Sequence, residues 1–175
     1  MQLNIKTIVV GDLEENCYII EKNNKCIVID PGDEFEKIDS NITCKLIAIL
    51  ITHHHFDHIG ALEKLKNKYN VEVYDSNNLN EGNISIEDFN IEVIYTKGHT
   101  NDSITYYFKD DNVMFTGDFL FKKDIGRTDL PTGNMFEMKK SIEKIKKYPD
   151  KIIVYPGHDE STNLEYEKQQ NIYFK

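Results

Sequence analysis

Six histidines occur in this chain of 175 residues, and four of them crowd into the string Thr52-His53-His54-His55-Phe56-Asp57-His58. Imidazole and carboxylate groups suit Zn²⁺, Mn²⁺ and iron, and a cluster this dense is not the composition of an ordinary polar turn. At a strand end, side chains at i and i+2 share a face, so His53 and His55 can converge on one ion. Asp57 and His58 follow where the chain turns into a helix and can face a second ion. Three further residues share one context. His99 comes after the run Ile91–Thr96, Asp118 after Val113–Thr116, and His158 after Ile152–Tyr155, each preceded by a glycine that permits a sharp turn. Strands that deliver ligands to a common rim explain all three. No Ser-His-Asp or Cys-His spacing is evident, so the chemistry expected of that rim is metal-assisted hydrolysis.

The elements that must position these residues read as follows. Ile5–Val10, Asn16–Glu21 and Lys25–Asp30 are short β-branched runs separated by Gly-Asp and Lys-Asn-Asn turn signals. Leu46–Thr52 is a continuous apolar run, the pattern of a strand covered on both faces. The period then changes: Ala61, Leu62, Leu65 and Tyr69, with Glu63, Lys64, Lys66 and Lys68 between them, outline an amphipathic helix. Val71–Tyr74, Ile91–Thr96, Ser103–Phe108 and Val113–Thr116 return to strand. Phe136–Tyr148 reads as a second helix, Ile152–Tyr155 as a buried strand, and Leu164 to about Phe174 as a closing helix. Two β-rich halves, each with helices late, predict an α+β fold. The expected form is an αββα four-layer sandwich, not a doubly wound parallel sheet. No repeat or linker interrupts residues 1–175, which predicts a single domain.

Thirty acidic against 21 basic residues give a net charge of −9, a surface that repels phosphate backbones and anionic membranes. The lysines at 139, 140, 144, 146 and 147 surround Met138, Ile142 and Ile145 as the solvated face of a helix. No apolar run approaches a membrane span and the N-terminus lacks the pattern of a signal peptide, so a cytoplasmic protein is expected. Cys17, Cys26 and Cys44 lie in or beside apolar runs and read as small buried hydrophobes.

The string His53-x-His55-x-Asp57-His58, followed by His99, Asp118 and His158, resembles the metallo-β-lactamase-fold superfamily over nearly the whole chain. Asp30, in Ile29-Asp30-Pro31-Gly32, looks like that superfamily's early aspartate. By this resemblance, His53, His55 and His99 would hold one ion and Asp57, His58 and His158 the other, with Asp118 bridging. His54 lies off that spacing and reads as a supporting or packing residue. The cofactor expected is a pair of divalent ions, zinc first, with iron or manganese as alternatives. Asp57 and Asp118 would be catalytic around a bridging hydroxide.

Asp118 stands where the true β-lactamases of this fold carry a cysteine, which counts against a lactam substrate. Gly117-Asp118-Phe119-Leu120-Phe121 with Gly126-Arg127-Thr128-Asp129-Leu130-Pro131-Thr132-Gly133 looks like the glyoxalase II branch. Glu167-Lys168-Gln169-Gln170-Asn171 resembles the tail of its short bacterial members. The resemblance implies hydrolysis of a small-molecule acyl thioester such as S-lactoylglutathione, with neither nucleic acid nor membrane as partner. It makes Arg127 the candidate anchor for a substrate carboxylate, against a plain ion pair with Asp129. The helical domain that grips glutathione in the longer enzymes has no counterpart in this sequence. Two other readings compete. One is a persulfide dioxygenase, which shares the Gly-Arg-Thr-Asp string and holds one non-haem iron on a facial subset of these positions. The other is a non-catalytic binding domain on the same fold.

Overall fold

Strand β3 (Lys25–Ile29) shows how each sheet acquires two apolar faces. Ile27 and Ile29 point into the layer between the sheets, while Cys26 and Val28 point outward beneath helices. A computed structural model describes residues 3–175. Its first sheet joins β1 (Asn4–Val10), β2 (Glu15–Lys22), β3, β4 (Lys45–Leu50) and β5 (Glu72–Tyr74) in that order. β1, β2 and β3 pair antiparallel, whereas β3, β4 and β5 run parallel. The connections between the parallel strands carry α1 (Phe35–Asn41), α2 (Phe56–Ile59) and α3 (Leu62–Tyr69).

The second sheet contains β6 (Gly82–Ile86), β7 (Phe89–Tyr95), β8 (Ile104–Phe108) and β9 (Val113–Gly117) as an antiparallel meander. A small hairpin follows, β10 (Leu120–Phe121) and β11 (Asp124–Ile125), then α4 (Met135–Ile145). β12 (Ile153–Pro156) returns parallel to β9, and β13 (Thr162–Asn163) closes the edge before α5 (Leu164–Gln170). Three buried clusters fill the spaces. One lies between the sheets, one under α1 and α3, and one under α4 and α5, as an αββα sandwich requires.

Three local readings of the sequence needed correction. α1 escaped notice because it buries only Ile38 and starts at Glu34 in the left-handed region without a side-chain cap. β6 is not predicted by periodicity because only Ile84 and Ile86 of its five residues are apolar, too short a run to mark a strand. The closing helix stops at Gln170, where the buried Asn171 side chain accepts from the Tyr173 amide and diverts the chain into a short 3₁₀ turn.

Phe115 is fully buried between the sheets, stacked on Tyr155 at 5.2 Å and edge-on to Tyr18 at 5.0 Å. Phe115→Ala is therefore expected to cost about 3–5 kcal/mol in denaturant unfolding, with the slope of the transition unchanged.

Candidate metal centre

All the ligand candidates meet at one rim, where β3, β4, β7, β9 and β12 end. His53 and His55 sit in the loop after β4, and His55 immediately precedes α2. Asp57 and His58 lie within α2, whose single turn swings them away from His53 and His55. His53 Nε2 and His99 Nε2 lie 3.1 and 2.9 Å from His55 Nδ1. On the other side, His158 Nε2 is 3.3 Å and His58 Nε2 3.8 Å from Asp57 Oδ2. Asp118 stands between the two trios. Its Oδ1 is 3.3 Å from His58 Nε2, and its Oδ2 is 3.5 Å from His99 Nε2 and 3.6 Å from His158 Nε2.

Outer hydrogen bonds set which nitrogen faces the centre. A carbonyl can only accept, so His99 donates through Nδ1 to Arg127 O at 2.8 Å, and His158 through Nδ1 to Leu13 O at 3.0 Å. His58 Nδ1 lies 2.9 Å from Asp30 Oδ2, and His53 Nδ1 3.1 Å from Thr52 Oγ1. These four rings therefore aim Nε2 inward, while His55 aims Nδ1. Asp30 also accepts from the Thr52 amide at 2.7 Å and the Thr52 hydroxyl at 2.6 Å. Its carboxylate is thus filled by donors and backs the site instead of facing it.

The glycines contribute in different ways. Gly117 has φ +51, and a Cβ there would meet Thr52 Oγ1 at 2.2 Å. Gly157 is not in the left-handed region; its role is space, since a Cβ would lie 2.3 Å from Asp118 Oδ1. The sharp-turn reading of the sequence therefore fails at Gly157. The loop that carries His158 is fastened to β2 by Asn16 N donating to Gly157 O at 2.7 Å and Tyr18 OH donating to Pro156 O at 2.5 Å.

Electrostatics divide the histidines. Burial, then the neighbouring His58 ring, push His53 well below the ordinary imidazole range; burial, then His99, lower His55. Burial opposes charge on His58, but Asp118 and Asp30 together raise it well above that range. His158 is raised against its burial by Asp57 and Asp118. Burial would raise Asp118 and Asp57, yet the facing imidazoles of His58 and His158, respectively, hold both carboxylates low. Among the described residues, His58 Nε2 and Asp118 Oδ1 are buried without a hydrogen-bond partner. Converging lone pairs, two ionised carboxylates and these two orphaned atoms match what a cation pair would satisfy.

A family model of the metallo-beta-lactamase superfamily matches residues 10–81 and 75–158. The chain belongs to that superfamily. It is 35% identical to the probable metallo-hydrolase YqgX of Bacillus subtilis across 93% of each chain. It is 32% identical to the hydroxyacylglutathione hydrolase GloC of Haemophilus influenzae across 97% of each. The crystal structure of BLEG-1 B3 metallo-beta-lactamase superposes with a TM-score of 0.93 at 29% identity, covering 98% of this chain and all of that one. In the fold of this superfamily, such His and Asp trios point to a dinuclear divalent metal centre.

Several functional contacts were invisible in the sequence. Arg127 O and Leu13 O act through the backbone, so no residue type betrays them. Glu15 opens β2 after a polar turn, yet it is buried beside His58 and Asp30 with both carboxylate oxygens unpartnered, and burial raises it well above the usual carboxylate range. Thr52 precedes the histidine string without advertising its role. Arg127 forks onto Asp129 through two bonds of 2.7 Å, and both residues are exposed. His54 points away from the centre. Its Nδ1 is 2.6 Å from Asp102 and its Nε2 3.1 Å from Asp75, which ties the histidine loop to two neighbouring loops.

Two predictions test the centre. Asp118→Ala removes the carboxylate that stands between the two trios and is expected to lower bound metal from two equivalents to one or none, read by elemental analysis; full occupancy would refute the bridge. His54 is raised above 6.5, by Asp102 first and then Asp75, against its burial. Its stabilisation is thus complete below pH 6.5 and lost as pH rises through the higher folded value. In the metal-free protein, Asp102→Asn should lower the melting temperature most below pH 6.5, with the gap narrowing as pH rises through the higher folded value. A constant gap would show that His54 carries no linked proton.

Proposed function

We propose that this metallo-hydrolase superfamily member cleaves acyl thioesters of a small thiol, with His53, His55 and His99 holding one ion and Asp57, His58 and His158 the other. The observation that carries the metal assignment is Asp118, placed between the trios with Oδ1 buried and unpartnered. The substrate class draws support from the Gly126-Arg127-Thr128-Asp129 string and from the relative named a hydroxyacylglutathione hydrolase. Zinc leads among the candidate ions because mixed imidazole and carboxylate sets suit it; iron and manganese fit the same donors.

When bound, the ion pair supplies a water acidified to near neutrality and a Lewis acid for the attacked carbonyl. The chain's own residues do the rest. Asp57 stays ionised at the centre and can accept a proton from the attacking water. The outer bonds to Arg127 O, Leu13 O, Asp30 and Thr52 keep the rings of His99, His158, His58 and His53 from turning. Two clefts each touch one of the trios, about 360 Å³ beside Leu13, Phe56 and Asp57 and about 420 Å³ beside His55, Leu130 and Pro131. A thioester has two arms, and the clefts offer one place for each.

Arg127 is the candidate anchor for a carboxylate on the thiol arm. Its partner Asp129 is exposed, and an ion pair held in water is weak, so a substrate carboxylate can displace it. Arg127→Ala is then expected to raise KM roughly ten- to hundredfold with kcat and metal content unchanged, and lysine to restore part of the loss. An unaltered KM leaves Arg127 as a loop ion pair. The reaction itself is tested with metal-loaded protein and S-lactoylglutathione under nitrogen. Hydrolysis without oxygen is expected; oxygen uptake with a glutathione persulfide and no thioester cleavage would replace the reading with the dioxygenase.

A further inference from the structure

Glu167 is fully buried, carries a carboxyl group, and belongs to neither trio. Its Oε1 accepts from the Thr162 hydroxyl at 2.6 Å, and its Oε2 from the Lys123 amide and the Asn171 side chain, each at 2.9 Å. Asn171, also fully buried, donates in addition to Asp124 O at 3.1 Å. Both acceptor and donor therefore grip the turn of the β10–β11 hairpin, at Lys123 N and Asp124 O.

That hairpin pairs only Leu120 with Ile125 and Phe121 with Asp124, too little to hold its own shape. Lys123 at its tip sits at φ +66, a strained conformation for a side-chain-bearing residue that needs outside support. Yet both ends of the hairpin lead to the metal centre. Asp118 precedes β10, and Arg127, whose carbonyl orients His99, follows β11. Gly126 is packed so tightly that an added Cβ would lie 1.8 Å from Asp118 O and 3.0 Å from His99 Nδ1. A shift at the tip has no slack to absorb it before it reaches Asp118 and His99.

We propose that Glu167, acting with Asn171, is a positioning residue that clamps the β10–β11 hairpin and thereby sets the placement of Asp118 and the ring orientation of His99. The inference rests on the reading of those two residues as metal ligands. It assigns a role to the Glu167…Asn171 segment, which belongs to neither trio and lines neither cleft named above.

The test uses the full chain with Co²⁺ alone as probe, and the variants Glu167→Leu, Asn171→Ala and Glu167→Gln. Leucine leaves the Lys123 amide and the Asn171 side chain without an acceptor. Glutamine can serve both with its carbonyl oxygen while the Thr162 hydroxyl turns to accept from its amide. The expected result is about tenfold weaker Co²⁺ binding and an altered visible absorption band for the leucine and alanine variants, with recovery in the glutamine variant. In the metal-free protein, the His99 Nδ1–H resonance should lose its protection from exchange in the same two variants and regain it with glutamine. If leucine prevents folding, Asn171→Ala carries the comparison. Folded variants with unchanged Co²⁺ affinity and His99 resonance overturn the proposal, as does a glutamine variant that behaves like leucine. No readout uses a thioester, so failure of the hydrolase reading would show separately, as a wild type that binds Co²⁺ without cleaving substrate. A wild type that binds no Co²⁺ refutes the ligand assignment, and the His99 resonance still decides the clamp.

Discussion

The buried carboxylate of Asp30 ties the centre to the fold. It follows β3 at φ +47, accepts from the Thr52 amide just beyond β4 on Oδ1, and takes both the Thr52 hydroxyl and the His58 ring on Oδ2. One side chain thus joins two parallel strands, fixes the start of the histidine string and orients a ring on α2. Neighbouring interactions build outward from it. Thr52 meets His53, Gly117 packs on Thr52, and Asp118 follows Gly117 at the end of β9. The parallel pairing of β3 with β4 is what allows both strand ends to reach the same rim.

Such a centre opposes folding when it stands alone. Ring nitrogens face one another at about 3 Å, carboxylates gather around one imidazole, and Glu15 lies buried without a partner. The three apolar clusters must outweigh that cost, and they are placed to do so. Two lie on the outer sheet faces and one between the sheets, while the polar groups occupy the rim where the strands stop. Separation of the two regions lets the core be closely packed and the site strained.

Support for the rings comes from the backbone as much as from side chains. Arg127 O and Leu13 O each fix the tautomer of a histidine that approaches from a different element. The placement of those carbonyls depends on loops, and the loops depend on distant contacts such as Asn16 with Gly157 and Glu167 with Lys123. The outer structure is therefore part of the site's geometry and not merely its scaffold.

Periodicity in the sequence was enough to determine the strands and the larger helices, because burial on one or two faces writes itself into residue order. The density of histidines after β4, and lone metal-capable residues after β7, β9 and β12, marked the candidate site for the same reason: ligand chemistry demands particular residue types. Elements with little buried surface, α1 and β6, left no such trace. Tertiary structure alone decided which nitrogen of each ring faces inward and that Glu15 and Glu167 are buried. Those features depend on backbone carbonyls and on partners far apart in the chain. Residue type limits what a group can do, and only the folded packing selects its neighbour.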